Sequence, residues 1–140
     1  MGAWGVGILQ DDSALDWVEE AYASEGEEAV RTALETAASA RPGDYLEYDE
    51  GVAARAAAEV VAASFGAPPD GIEADGLDTL MEHSDGVAED DTLITLALSA
   101  VRRVASDNSE IAELWAEQDD TAAEWTAAIE GLEARLRGLT

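Results

Sequence analysis

The feature that most constrains the fold of this chain is an alanine-rich apolar pattern with helical spacing. Alanine accounts for 29 of the 140 residues, more than the 27 contributed by leucine, isoleucine and valine together. Alanine has the best helix propensity, and its small side chain lets helices approach closely. Apolar residues recur three and four positions apart along much of the chain. The pattern predicts an all-α protein, a single small domain of five to six helices over residues 1–140.

Capping and breaking signals give the expected helix boundaries. Asp11 and its neighbours offer an N-cap, Gly66 is suited to end a helix at C′, and Ser24 and Thr121 each precede a glutamate at capping-box spacing. The predicted helices are Asp12 to about Ala23, Ser24 to the Arg41-Pro42-Gly43 stop, about Val52–Phe65, about Thr92–Ser106, residues 107–118, and Thr121 to the C-terminal end. The nearly all-round apolar segment Thr92–Ser106 is expected to be the central, most buried helix.

Two segments carry weaker signals. Residues 44–50 are expected to be extended or turn-like, with Tyr45 and Tyr48 as packing residues. Residues 67–91 contain Pro, Gly and Asp without a clear period, and two helical turns are expected at 77–83.

The acidic charge is the second constraint. The chain has 32 Asp and Glu residues against seven basic residues, all of them Arg, and its net charge is −25. Self-repulsion of this size opposes folding at low salt, and salt screens it within a few ångströms. A complete lack of Lys is typical of proteins from salt-accumulating cells, which favours solvent adaptation. Imitation of nucleic acid, or contact with a basic partner, is the alternative interpretation.

Composition excludes several chemistries. Without Cys there are no disulfides, thiolate nucleophiles or Cys-ligated metals, and without Lys there is no P-loop lysine or Schiff base. The single histidine, His83, is interpreted as a surface or helix-end residue. No apolar run reaches the roughly 20 residues that span a bilayer, so a cytoplasmic protein without membrane contact is expected. Phosphate-mediated nucleic-acid binding is disfavoured by the negative field, and Arg102 and Arg103 are expected to pair internally with carboxylates.

Acidic residues occur at metal-binding spacings in two places. Residues 71–82 resemble a calcium loop at four positions, but Gly71 occupies the first position, where Asp is required. Asp12 and Asp16 share a helix face and could bind Mg²⁺ or exchange protons, although such pairs arise by chance in so acidic a chain. We therefore predict no metal site and no cofactor.

The four tryptophans lie in the first and last quarters of the chain. Large rings need burial, and alanine-rich helices offer grooves to receive them, so the N-terminal segment is expected to pack against the C-terminal helices. In this interpretation Gly2 and Gly5 let the backbone approach the fold while Trp4 anchors it. The alternative is that Gly2-Ala3-Trp4-Gly5 lines a pocket or a partner-facing patch.

The two ends of the chain carry a family resemblance. The opening Gly2-Ala3-Trp4-Gly5, followed by Asp12, Ala14, Asp16 and Trp17, and the later Glu113-Leu114-Trp115, Trp125 and Arg135-Leu136, are similar to the prokaryotic domain of unknown function 4259 family. Leu9 is a mild departure, since Phe is commoner there in the family. The resemblance implies a single small domain and no known activity.

Three classes of function follow as expectations. The first is a non-enzymatic interaction or regulatory protein, of the toxin-immunity kind for example, whose acidic helical surface meets a protein partner. The second is a small-ligand binder or Mg²⁺-dependent enzyme with a carboxylate-lined cleft where the termini meet, and the third is a subunit that completes an oligomer. The candidate binding residues are Trp4, Asp11, Asp12, Asp16 and Glu117.

Overall fold

The structure, a computed structural model, describes Gly7 and residues 11–41, 43–118 and 120–140. These residues form eight helices and no strand. Helix α1 covers Asp12–Asp16, Trp17–Tyr22 and Ala23–Glu25 without interruption, and the others are α2 (Glu27–Ala38), α3 (Tyr48–Ser64), α4 (Ala74–Leu80), α5 (Ser84–Ala88), α6 (Thr92–Val104), α7 (Glu110–Ala116) and α8 (Ala122–Gly138). The all-α prediction is confirmed, and the predicted count of five to six helices is slightly low.

Helix α3 forms the centre of the molecule and contacts each of the other seven helices. Twelve of its 17 residues are buried, compared with eight of 13 in α6. The prediction that α6 is the most buried helix is therefore wrong. Alanine makes the difference, because five of the buried α3 side chains between residues 54 and 62 are single methyl groups that admit neighbours on every side.

Helix α1 contains a π-helical turn at Trp17–Tyr22, where the amide of Ala23 bonds to the carbonyl of Val18 five residues earlier. Such a turn is rare and is frequently found at functional sites. Gly26 then turns the chain sharply into α2 with a φ of 59°, and the expected Ser24 capping box does not form, because α2 begins at this glycine without a side-chain cap.

The 44–47 and 105–109 loops are held together by Arg103. Its guanidinium donates to the carbonyl of Asp44 at 2.6 Å and to that of Asp107 at 3.2 Å. Next to these contacts, Leu46 and Ser109 form an isolated parallel bridge. Arg103 thus bonds to backbone carbonyls, contrary to the prediction that it pairs with a carboxylate, whereas Arg102 does pair with Glu133 at 3.0 Å.

The structure tests several local predictions about helix ends and packing residues. Helix α3 starts at Tyr48, four residues earlier than expected, and Tyr45 is 49% exposed and is not a packing residue. Gly66 has a φ of 96°, as a C′ residue requires. Residues 67–91 contain two short helices, α4 and α5, in place of one. Thr121 precedes α8 without a side-chain capping bond, so its predicted capping box is also absent.

In the described part of the chain, α1 packs on α2, α3 and α4, while α8 packs on α3, α6 and α7. The predicted packing of the N-terminal segment on the C-terminal helices concerns residues 1–10, of which Gly7 alone is described, so it stays a prediction. None of the described helices is long and apolar enough to cross a bilayer.

Candidate functional site

A shallow groove beside Trp17 combines an accessible aromatic ring with an apolar floor. It has a volume of about 320 Å³ and lies where α1, α2 and the start of α3 meet. Small residues line it: Ala21, Ala29, Thr32, Ala33, Thr36 and Ala53. A second groove, of about 260 Å³, adjoins it and shares Trp17, Asp49 and Ala53. We call the two together the Trp17 groove.

The indole of Trp17 is held on one side by Tyr22. The two rings stack with an interplanar angle of 10° and a centroid distance of 6.0 Å. These residues are five apart, and the wider π-helical turn brings residues at that spacing near one another. Tyr22 therefore packs beside the half-buried indole, and the exposed part of the indole is what a ligand in the groove would meet.

Tyr22 is itself held in place by hydrogen bonds to the backbone at the end of α4 and the start of α5. It is fully buried, its hydroxyl donates to the carbonyl of Leu80 at 2.7 Å, and it accepts from the amide of His83 at 2.9 Å. Burial raises the pKa of Tyr22 above its ordinary value of 10.0. The side chain packed beside Trp17 is therefore a buried, neutral and doubly hydrogen-bonded phenol.

Carboxylates surround the Trp17 groove. Asp16 and Glu25 approach it from α1, and Asp49 and Glu50 from the first turn of α3. The described surface arginines make their ion pairs elsewhere: Arg31 bonds to Glu27 and Asp90, and Arg102 bonds to Glu133. Among the described residues, no arginine forms an ion pair with any of the four rim carboxylates, so the groove has a negative field with no internal counter-charge.

The predicted site residues occupy different environments. Asp11 is 6% exposed and caps α1, since its Oδ1 accepts from the amides of Ser13 and Ala14 and its Oδ2 from the Tyr48 hydroxyl at 2.7 Å. Asp12 is exposed on the first turn of α1. Asp16 lines the Trp17 groove.

Glu117 is the C-terminal cap residue of α7 and is exposed. No hydrogen bond or ion pair of the described residues links it to the acidic residues of α1. The structure thus places Asp16 on the groove without grouping Glu117 with it. Trp4 lies outside the described residues.

A second cluster of charges lies inside the molecule along α3. Glu59 is 2% exposed and accepts a two-pronged bond from Arg135 of α8, with N–O distances of 2.8 and 3.2 Å. Arg55 lies one turn before Glu59 and is buried near Asp11. Burial lowers the pKa of Arg55 below its ordinary value, and the fields of Glu59 and Asp11 oppose that shift. Two carboxylates and two guanidiniums balance here, so we interpret the cluster as structural.

His83 has the role expected of a helix-end residue. It is the N-cap of α5, its Nε2 lies 2.9 Å from the carbonyl of Ala23, and its ring meets Tyr22 edge-on. Among the described residues, no group of three or more His, Asp or Glu side chains is placed to hold a metal ion.

Sequence reasoning identified Asp16 but missed the groove around it. The sequence did not indicate Thr32 and Thr36 as site residues, because small residues on a helix face more often pack against a neighbouring helix. It did not indicate the π-helical turn either, since the apolar spacing of α1 fits an ordinary α-helix. Glu59 and Arg135 lie 76 positions apart, and no local pattern links them.

The fold and groove define a small acidic all-helical domain with a negatively charged surface groove. The chain belongs to the family described as domain of unknown function (DUF4259), whose model matches residues 2–128. This confirms the family resemblance. No curated protein and no solved structure matches the chain.

Proposed function

We propose that this protein is a non-enzymatic interaction module, regulatory or immunity-type, which receives a basic partner protein in the Trp17 groove. The observation that carries the proposal is a half-buried indole in an apolar groove, with four carboxylates around it that form no ion pair with a described arginine. Interfaces are enriched in aromatic anchors, and complementary charge accelerates encounter and selects partners.

The chemistry of the groove supports binding over catalysis. Its floor consists of methyl and hydroxyl groups of Ala and Thr, and its charged groups are all carboxylates at the rim. His83 lies on the other side of Tyr22, where its Nε2 contacts a backbone carbonyl. The described groove lining contains no histidine, so a hydroxyl nucleophile activated by a histidine base is absent from it.

We also propose that the remaining surface acidity adapts the protein to a salt-rich cytoplasm. A net charge of −25 far exceeds what one groove needs. Carboxylates keep the surface hydrated and repel other acidic proteins, and concentrated salt screens their mutual repulsion. The partner contact must then form at high ionic strength, which favours an interface with an apolar centre over one made of rim charges alone.

The test is affinity capture from the cells that encode the protein, at their own intracellular salt, with stoichiometry determined by intact mass. Wild type is compared with Asp16→Asn/Asp49→Asn, and Glu117→Gln/Glu124→Gln is the charge-matched control. We expect one stoichiometric basic partner that the groove variant loses and the control retains.

Two other results would contradict the proposal. Retention of the partner by the groove variant would move the interface to another surface. Absence of a partner, together with a melting temperature raised by micromolar Mg²⁺ or Mn²⁺, would favour the small-ligand or enzyme class, because specific binding stabilises the native state at low ligand concentration.

A further inference from the structure

Resting on the proposed function, we infer that the Trp17 groove recognises an arginine-bearing segment of the partner, whose guanidinium stacks on the indole of Trp17 between Asp16 and Asp49. The guanidinium is the cation that the groove selects, and contacts with Trp17, Asp16 and Asp49 make the selection.

The geometry of Trp17 favours a planar cation. Trp17 is the one aromatic residue in the described lining of the groove, because Tyr22 is fully buried beside it, so a ligand meets a single ring. A quaternary ammonium ion is bound best by a cage of several rings, whereas a flat guanidinium can stack on one ring. Trp is the strongest partner for such a contact.

Two carboxylates lie beside that ring. Asp16 immediately precedes Trp17 in α1, and Asp49 lines both parts of the groove from the opposite helix. A guanidinium presents five N–H donors in a fixed fork, so it can stack on the indole and still donate to carboxylates at its edge. An ammonium ion is a hydrated point charge and gains less from the ring.

The rest of the groove accommodates a short stretch of apolar chain. Ala29, Thr32, Ala33 and Thr36 follow one another along one face of α2 with spacings of three, one and three residues. This face is about 10 Å long at 1.5 Å per residue, which is two turns of a docked helix. An amphipathic segment with alanine or leucine next to its arginine fits this floor, in the manner of helix-in-groove recognition.

A second copy of this chain is disfavoured as the occupant by charge. Of its seven arginines, Arg55 and Arg103 are buried, Arg31, Arg102 and Arg135 are bonded to carboxylates of their own chain, and the exposed Arg41 and Arg137 stand against 32 acidic residues. The surface of a second copy therefore brings more carboxylates to a groove that already lacks counter-charge. A basic heterologous segment relieves that repulsion.

The experiment measures binding of three fluorescein-labelled amphipathic peptides with the same alanine and leucine positions. Their variable positions carry Arg, Lys or neutral citrulline. Anisotropy titrations use molar KCl, so that nonspecific attraction is screened. We expect the Arg peptide to bind about fivefold more tightly than the Lys peptide, as one cation–π contact allows, and the citrulline peptide to bind weakest.

Variants locate the contact. Trp17→Leu should weaken the Arg peptide about fivefold and abolish the difference between Arg and Lys. Trp17→Phe should retain part of that difference. The matched control is Tyr45→Leu, which removes an exposed aromatic ring beside Glu113 that does not line the Trp17 groove. Circular dichroism at the same salt verifies that each variant is folded.

The outcomes separate this inference from the proposed function. Equal affinity for Arg and Lys peptides, or binding unaffected by Trp17→Leu, would overturn arginine stacking, and the interaction module would still be supported by the captured partner. Failure of all three peptides to bind would also overturn it. Failure of the proposed function has a different signature, the absence of any stoichiometric partner in the capture experiment.

Discussion

Two groups of carboxylates in this protein, the interior cluster along α3 and those around the Trp17 groove, differ in whether an arginine balances their negative charge. Inside, Glu59 bonds to Arg135 with both oxygens, and Asp11 lies near Arg55 and accepts from Tyr48. Around the Trp17 groove, the described carboxylates have no arginine partner. In the interior, paired charges therefore link one helix to another, whereas the carboxylates around the groove can bind a basic partner.

The difference has an energetic basis. A buried carboxylate without a counter-charge is strongly destabilising, so the interior tolerates only matched charges. An exposed carboxylate remains hydrated and costs little, and in salt its repulsion is screened over a few ångströms. Unmatched acids can therefore accumulate at the surface, and an accessible aromatic ring among them distinguishes a candidate interface from solvated acidity.

The largest effect is expected at the interior pair. Arg135→Met leaves Glu59 buried without its guanidinium and should lower the free energy of unfolding by about 3 kcal/mol. Arg102→Met breaks the more exposed pair with Glu133 and should cost less than about 1 kcal/mol. Denaturant titrations at molar KCl measure both. Equal losses would show that the two regions do not differ as described.

The next effect is expected at the corner between α1 and α2, two walls of the groove. Gly26 has a φ of 59° and a ψ of −126°, and an added Cβ would lie 3.1 Å from the His83 ring. Gly26→Ala should cost about 2 kcal/mol, because a non-glycine residue is strained in this region. Gly131→Ala, in open space on α8, should instead stabilise by about 0.5 kcal/mol. A neutral Gly26→Ala would contradict the strained corner.

A smaller effect is expected where Tyr48 bonds to Asp11. Burial and this hydrogen bond raise the pKa of Tyr48 well above 10.0. The unfolded chain therefore loses the phenolic proton first, so this contribution is complete below about pH 10 and is lost as the pH rises towards the folded-state pKa. Tyr48→Phe should cost about 1 kcal/mol at neutral pH and flatten the alkaline decline.

The control for this pH dependence is Tyr45→Phe. The hydrogen bond to Glu113 raises the pKa of Tyr45 to about 12, but solvent screens this exposed side chain. Its removal should change the alkaline decline less than Tyr48→Phe does. The reverse order in denaturant titrations between pH 9 and 11 would contradict the assignment.

The smallest effect on stability is expected in the groove itself. Asp16→Asn should change the free energy of unfolding by no more than about 0.5 kcal/mol, since an exposed carboxylate has no structural partner to lose.

The salt dependence of the melting temperature tests the surface carboxylates further. The wild-type melting temperature should rise between dilute buffer and molar KCl, and Asp16→Asn/Asp49→Asn should reduce that rise. A melting temperature that is the same in both buffers would contradict salt adaptation.

Much of the helical framework follows from local sequence. The Asp11 cap, the Gly66 stop and the apolar spacing of α6 and α8 act within a few residues, and each is observed close to its predicted position. Predictions failed where a distant contact competes with a local signal. Gly26 replaces the Ser24 cap because its backbone turns against the ring of His83, 57 positions later in the chain.

Helix propensity, apolar period and net charge are local or additive properties, so the all-helical and acidic character of this chain can be derived from its sequence. Which charges are buried and which face solvent depends on the tertiary structure. Glu59 and Asp16 are the same kind of group on similar helices, and their roles differ because Arg135 reaches one of them and an open groove beside Trp17 adjoins the other. That distinction depends on contacts between residues far apart in the chain, which no local pattern encodes.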